Sequence, residues 1–166
     1  MAIAMTAAAA FPTSAQDRGD VEAVVAGFMN EVRSGKAPER AAQFMAPVVL
    51  AHQMNAEGQT TVERTPEQYA AHVREFLNAF GPFEFQVTES IASDDRVYVR
   101  WQQDGHHVIS LEGEEPTGSP LREIASAVYR VENGKIAEYW IQIDRYGFDR
   151  QLQDLKAATG AAGVAQ

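Results

Sequence analysis

A chain of 166 residues with 14 Lys and Arg against 23 Asp and Glu carries a formal net charge of −9. That is the length of one domain with a sizeable core, and the charge repels nucleic-acid phosphates and acidic membrane surfaces. Cysteine is absent, which excludes disulfides, thiolate nucleophiles and cysteine-based metal or iron–sulfur sites, and no apolar run approaches the roughly 20 residues that span a bilayer. A small molecule is the expected partner, not nucleic acid or membrane.

Residues 1–17 are apolar and Ala-dominated but lack the basic start of a secretory signal, so they read as the arm of a cytoplasmic protein. From Asp20 to Val32, Val21, Val24, Val25, Phe28 and Val32 recur at helical spacing, and Gly35 and Pro38 end the pattern. "APERAAQFMAP" predicts a short second helix, "VVLAHQM" a strand carrying His52, and "NAEGQTTVERT" a loop with room for a short strand. "TPEQYAAHVREFLNAF" predicts a third helix, with Thr65 as N-cap, Pro66 at the first helical position, and a stripe of Tyr69, Val73, Phe76, Leu77 and Phe80. His72 falls at the flank of that stripe and reads as a surface or boundary residue.

After Gly81 the period becomes two, in "FEFQVTESI", "RVYVRWQQD", "HHVISLEG" and "REIASAVYRVENGKIAEYWIQID", which predicts four or five antiparallel strands. Asn133-Gly134 is a type I′ hairpin signal. "RYGFDRQLQDLKAAT" predicts a last helix. The domain is expected over 18–156 and a tail over 157–166. Helices followed by a strand meander indicate an α+β domain, with helices covering one face of a bent sheet.

Adjacent strand residues point to opposite faces, so only one of His106 and His107 can enter a pocket, and two neighbouring strand histidines cannot chelate one metal. Periodicity leaves open which one it is; His52, standing alone, reads as structural. Glu138, Trp140, Gln142 and Asp144 share one strand face, while Tyr139, Ile141 and Ile143 share the other. Asp144 has two readings of equal weight: an acid/base group in a partly apolar cavity, or the N-cap of the helix that follows. Arg100, in a sheet interior, would need a carboxylate partner, with Asp144 one candidate. The group Glu112, Glu114 and Glu115 reads as a solvated turn.

The ordered set "GHHVISLEGEEPTG", "VYRVENGKIAEYWIQID" and "GFDRQL", with "VVLAHQM" before it, resembles the SnoaL-like polyketide cyclase family over residues 20–155. The resemblance implies a cone-shaped, nuclear-transport-factor-like fold: a curved antiparallel sheet wrapped by three to four helices around a pocket. It also implies a cofactor-free cyclase or isomerase, of the kind that works in polyketide-like natural-product biosynthesis. It assigns acid/base catalysis to Asp144 and the pocket-histidine role to His107, and His52 matches the family's early histidine. Candidate substrate contacts are His52, Arg100, Trp101, Trp140, Gln142 and Tyr146. Ile109 stands where a glycine is common and would narrow a cavity it faced.

Epoxide opening, with His107 or Tyr146 as the acid, is an alternative chemistry. A non-catalytic ligand-binding or association module is the alternative outside enzymology. A homodimer, or a higher homo-oligomer, is expected through an outer sheet face bearing Tyr139, Ile141 and Ile143.

Overall fold

The computed structural model describes residues 15–110 and 115–163. Most of the expected arm, and Glu112 and Glu114 of the acidic turn, lie outside the described residues.

Helix α1 (Ala15–Phe28) carries Val25 and Phe28 into the core and continues into one π-helical turn, Met29–Arg33. Such a turn widens the helical ladder by one residue. Here Met29, Val32 and Arg33 are all buried. A 3₁₀ turn (Pro38–Arg40) and the short α2 (Ala41–Phe44) lead into β1 (Met45–Asn55). The following segment is a full strand, β2 (Gly58–Arg64), paired antiparallel with β1. It is an edge strand exposed along most of its length, which is why no alternation marked it.

Helix α3 (Pro66–Phe80) starts as expected. Gln68 N–H donates to Thr65 Oγ1 (3.3 Å) and Thr65 N–H donates to Gln68 Oε1 (2.9 Å), closing a capping box. The remaining strands are β3 (Glu84–Ser93), β4 (Arg96–His106), β5 (Pro120–Glu132) and β6 (Lys135–Ile143). Asn133 and Gly134 have φ of 51° and 72°, as a type I′ turn requires. "HHVISLEG" is not a separate strand. β4 runs on through His106, and the chain then leaves the sheet as Val108 N–H donates to Ala79 O at the end of α3 (3.4 Å). Helix α4 spans Arg145–Gly163 and so enters the segment expected as a tail.

The sheet order is β2-β1-β6-β5-β4-β3, with every neighbour antiparallel except β1 and β6, which are parallel. The helices lie on one face. There Val97, Val99 and Trp101 of β4 and Ala125, Ala127 and Tyr129 of β5 meet Val25, Phe28, Met29 and Val73 in one core. A smaller cluster of Phe80, Leu121 and Leu152 fastens α4 to α3 and β5. None of the helices among the described residues is long and apolar enough to cross a membrane.

One expectation is reversed. Tyr139 is buried in the core, with Ile141 and Ile143 packed against it, so this row faces the helices and is not the outer face. The register between β5 and β6 slips between Arg130 and Val131, so Ile136 and Tyr139, three residues apart, both point inward. Burying a large apolar side chain stabilises by about 1.5–3 kcal/mol, so the apolar row takes the core side. Glu138, Trp140 and Gln142 consequently look out.

Candidate active site on the concave face

Between α3, the start of α4 and the inner sheet face lies a cavity of about 290 Å³. That is the lower end of the range for small-molecule sites. Phe76 and Phe80 from α3, Phe148 from α4, and Ile141 and Ile143 from β6 form apolar walls. Polar groups converge from these elements and from four others, with Arg33 from the π-turn, Gln53 from β1, Arg64 from β2 and Glu123 from β5.

At the floor, Arg33 from the π-turn and Glu123 from β5 form a buried ion pair, Nη2 to Oε1 3.3 Å, with side-chain exposures of 5% and 8%. The guanidinium lies 5.2 Å from the ring centroids of both Phe76 and Trp101. Burial raises the Glu123 carboxyl above the ordinary value; the charges of Arg33 and Arg145 pull it back without cancelling the rise. A carboxyl shifted in this direction is better matched to proton transfer near neutrality than an exposed one. Tyr69 and Tyr139 also line the cavity, and burial pushes both phenols up. Both therefore remain protonated hydrogen-bond donors at neutral pH. His72, at the mouth, is held below its ordinary value by burial and then by the charges of Arg64 and Arg33.

Beside this floor, the inner row of β4 runs through Trp101 and Gln103 and on to His107. Gln103 sits opposite Glu123 in the register. Trp101 Nε1, Gln103 Oε1 and His107 Nε2 are buried without a partner among the described residues. Each such group costs about 1–3 kcal/mol, and groups of this kind concentrate where function needs them. Gly105 occupies the same row because a Cβ there would come within 2.9 Å of Phe80.

None of the residues expected from sequence to be catalytic or to contact substrate lines this cavity, whereas His72, read as a boundary residue, and Tyr139, Ile141 and Ile143, read as an outer face, all do. Asp144 is exposed and caps α4, with Gly147 N–H donating to its Oδ1 (2.9 Å); a side chain at Gly147 would collide with that carboxylate. With Arg100 and Gln142 it lines an open outer groove of about 490 Å³. Arg100 pairs with Glu89 (2.7 Å), not with Asp144. His52 and Trp140 stack at 4.9 Å on the outer face, where His52 Nε2 meets Glu138 Oε1 at 2.8 Å and Arg96 lies 4.8 Å over Trp140. Trp101 is fully buried core, and Tyr146 is 77% exposed. His107 is buried on the inner row, with Nδ1 3.3 Å from Thr117 Oγ1. Asp144 and His107 are thus not brought into one cavity, because alternation along β6 turns the Glu138–Gln142 row and Asp144 away from the helices. Ile109 is exposed and does not narrow the cavity.

Two signals for the observed site were present in the sequence. In "LREIASAVYRV", Glu123 is the one carboxylate in the alternating row Leu121, Ala125, Ala127, Tyr129 and Val131. Arg33 lies four residues after Met29, on the stripe that buries α1. Among the described residues, no three His, Asp or Glu side chains are grouped to hold a metal ion.

The architecture is that of known proteins. The chain superposes on wild-type IdmH of Streptomyces antibioticus, named as a "putative polyketide cyclase", with a TM-score of 0.68 and 25% identity, over 80% of this chain and 98% of that one. A "putative polyketide cyclase" from Acidithiobacillus ferrooxidans gives a TM-score of 0.70 at 22% identity, over 81% and 95% of the two chains. AclR of Streptomyces galilaeus, named as a "putative hydroxylase", gives 0.63 at 18% identity, over 76% and 79%. Among curated proteins none matches. These neighbours share the nuclear-transport-factor-like cone seen here, a curved, unclosed sheet with helices over its concave face. The family model described as SnoaL-like polyketide cyclase matches residues 23–152, a span running from α1 into α4 and including the whole sheet, Arg33 and Glu123, and the chain therefore belongs to that family.

Proposed function

We propose that the protein catalyses ring closure or isomerisation of a small natural-product-like intermediate by acid–base chemistry in the concave cavity, without a cofactor. The observation that carries this reading is the Glu123 carboxyl, buried against Arg33 at the floor of a cavity walled by aromatic and aliphatic side chains and furnished with the phenols of Tyr69 and Tyr139. Glu123 removes a proton from the carbon next to a substrate carbonyl, and the phenols donate hydrogen bonds to the enolate oxygen that develops. The enolate carbon attacks a second carbonyl of the same molecule, and Glu123 returns its proton to the alkoxide. Product and substrate are isomers, so no oxidant or reductant is consumed. Positioning in the cavity supplies much of the rest of the rate.

The test is deuterium incorporation from D₂O next to the carbonyl of a bicyclic ketone probe, 2-tetralone, followed by proton NMR. Exchange should exceed that in buffer and fall on the order of 10²–10⁴ in Glu123→Gln, the range that general acid–base catalysis contributes. Undiminished exchange in that variant removes Glu123 from the mechanism.

A second reading keeps the family's acid/base role on Asp144 alone, because His107 lies on the opposite face of the sheet. What favours it is the outer groove that gathers Asp144, Arg100 and Gln142. In that case Asp144→Asn, not Glu123→Gln, should abolish exchange. If exchange with the unmodified protein does not exceed that in buffer while ligands still bind, the protein is a binding module. Self-association is assigned to the outer face, where Leu50, Ile91 and Ile124 are exposed; sedimentation of a monomer at micromolar concentration contradicts it.

A further inference from the structure

The cavity mouth carries charge that its own neighbours do not neutralise. Arg64, the last residue of β2, and Arg145, the first of α4, both line it. Neither side chain has an ion pair or hydrogen bond among the described residues. Arginines elsewhere with described side chains behave differently. Arg33, Arg40, Arg96, Arg100, Arg122, Arg130 and Arg150 each have a carboxylate within 4 Å, and Arg74 is the remaining exception. In a chain of net charge −9, two unpaired guanidiniums at one opening stand apart from the rest.

The groups facing them are few. Glu123 is occupied by Arg33, and Asp149 is the other carboxylate of the lining. Two arginines against one aspartate leave about one positive charge, enough for a singly charged group. His72, which also lines the mouth, is held below its ordinary value by burial first and then by the charges of Arg64 and Arg33. Behind the arginines come the rings of Phe76, Phe80 and Phe148, which suit a flat apolar body. Guanidinium forks match carboxylates in shape and charge.

We infer that the substrate of this cavity is a flat, unsaturated carboxylic acid, held with its carboxylate between Arg64 and Arg145 and its ring system on the phenylalanines. The inference rests on the concave cavity being the substrate site. It sets the direction of binding: the carboxylate stays at the mouth and the far end of the molecule reaches Glu123. A neutral ester or amide of the same skeleton loses the anchor but keeps the ring contacts.

Three probes of one skeleton test this by calorimetry at low salt: 2-naphthoate, 2-naphthamide and 2-naphthyl phosphate. Naphthoate should bind on the order of tenfold more tightly than the amide, and the advantage should shrink in 0.5 M salt. Arg64→Gln and Arg145→Gln should each lower naphthoate affinity several-fold and leave the amide unchanged. Equal affinity for acid and amide, or equal loss of both in the arginine variants, overturns the carboxylate anchor. Tighter binding of the phosphate than of naphthoate also overturns the carboxylate class. Amide binding that disappears in Ile141→Trp reports on the cavity alone, so the site can stand while the anchor falls. Failure of all three probes to bind folded protein overturns both.

Discussion

On the concave side of the sheet, Arg33 and Glu123 lie 3.3 Å apart at side-chain exposures of 5% and 8%. On the convex side, Arg130 and Glu138 lie 2.8 Å apart at 24% and 17%. The two glutamates respond in opposite senses. Burial raises Glu123, and the charges of Arg33 and Arg145 do not offset it. Burial pushes Glu138 up as well, but hydrogen bonds from Arg130 and His52 outweigh that and hold it below the ordinary value. Two close donors make a fixed anion; one distant donor in a drier place leaves a carboxyl that exchanges its proton more readily. The convex cluster therefore reads as structure and the concave pair as chemistry.

The largest effect that should separate the faces is on stability. Glu123→Leu leaves the Arg33 guanidinium buried without a partner and should cost about 3–5 kcal/mol in denaturant unfolding at neutral pH. Glu138→Leu, nearer solvent and with Glu132 still available to Arg130, should cost about 1 kcal/mol. Similar losses from both would break the contrast. Arg33→Met should cost less than Glu123→Leu, about 1–3 kcal/mol, because a carboxyl stranded by burial can take up a proton whereas a guanidinium cannot lose one.

The pH dependence should differ in sign. Glu123 is raised on folding, so its contribution is whole below the ordinary carboxylate value and is lost as pH rises through its folded value. Glu138 is lowered, so its contribution is whole above the ordinary value and is lost as pH falls through its folded value. Thermal melts from the acid limb to neutrality should show Glu123→Gln removing a decline on the upper side of the carboxylate range. Glu138→Gln should remove one on the lower side. The smallest change belongs to Asp144→Asn. Asn and Asp cap helices about equally, so its midpoint should move by less than about 0.5 kcal/mol equivalent.

The same two faces explain what the sequence made legible. Helices, hairpin and family motifs were readable because they rest on local chemistry, such as the Thr65 capping box and the Asn133-Gly134 turn. Alternation correctly grouped Glu138, Trp140 and Gln142 apart from Tyr139, Ile141 and Ile143. Which row faces the helices depends on a bulge between β5 and β6 that no local pattern announces. Choosing the polar row as the pocket wall led to Asp144 and away from Glu123, though Glu123 stood alone in an apolar row. Arg33 reaches the floor from a π-turn, and His72 joins the mouth only because α3 lies across the open end of the sheet; both are tertiary facts.

Ile141 and Gln142 are neighbours on β6 that point to opposite faces, one into the concave cavity and one into the outer groove. Tryptophan at each in turn, with folding verified by circular dichroism, places the same bulk on either side of one strand. Deuterium exchange into 2-tetralone should be abolished in Ile141→Trp and kept in Gln142→Trp; loss in Gln142→Trp with exchange retained in Ile141→Trp would contradict the concave site.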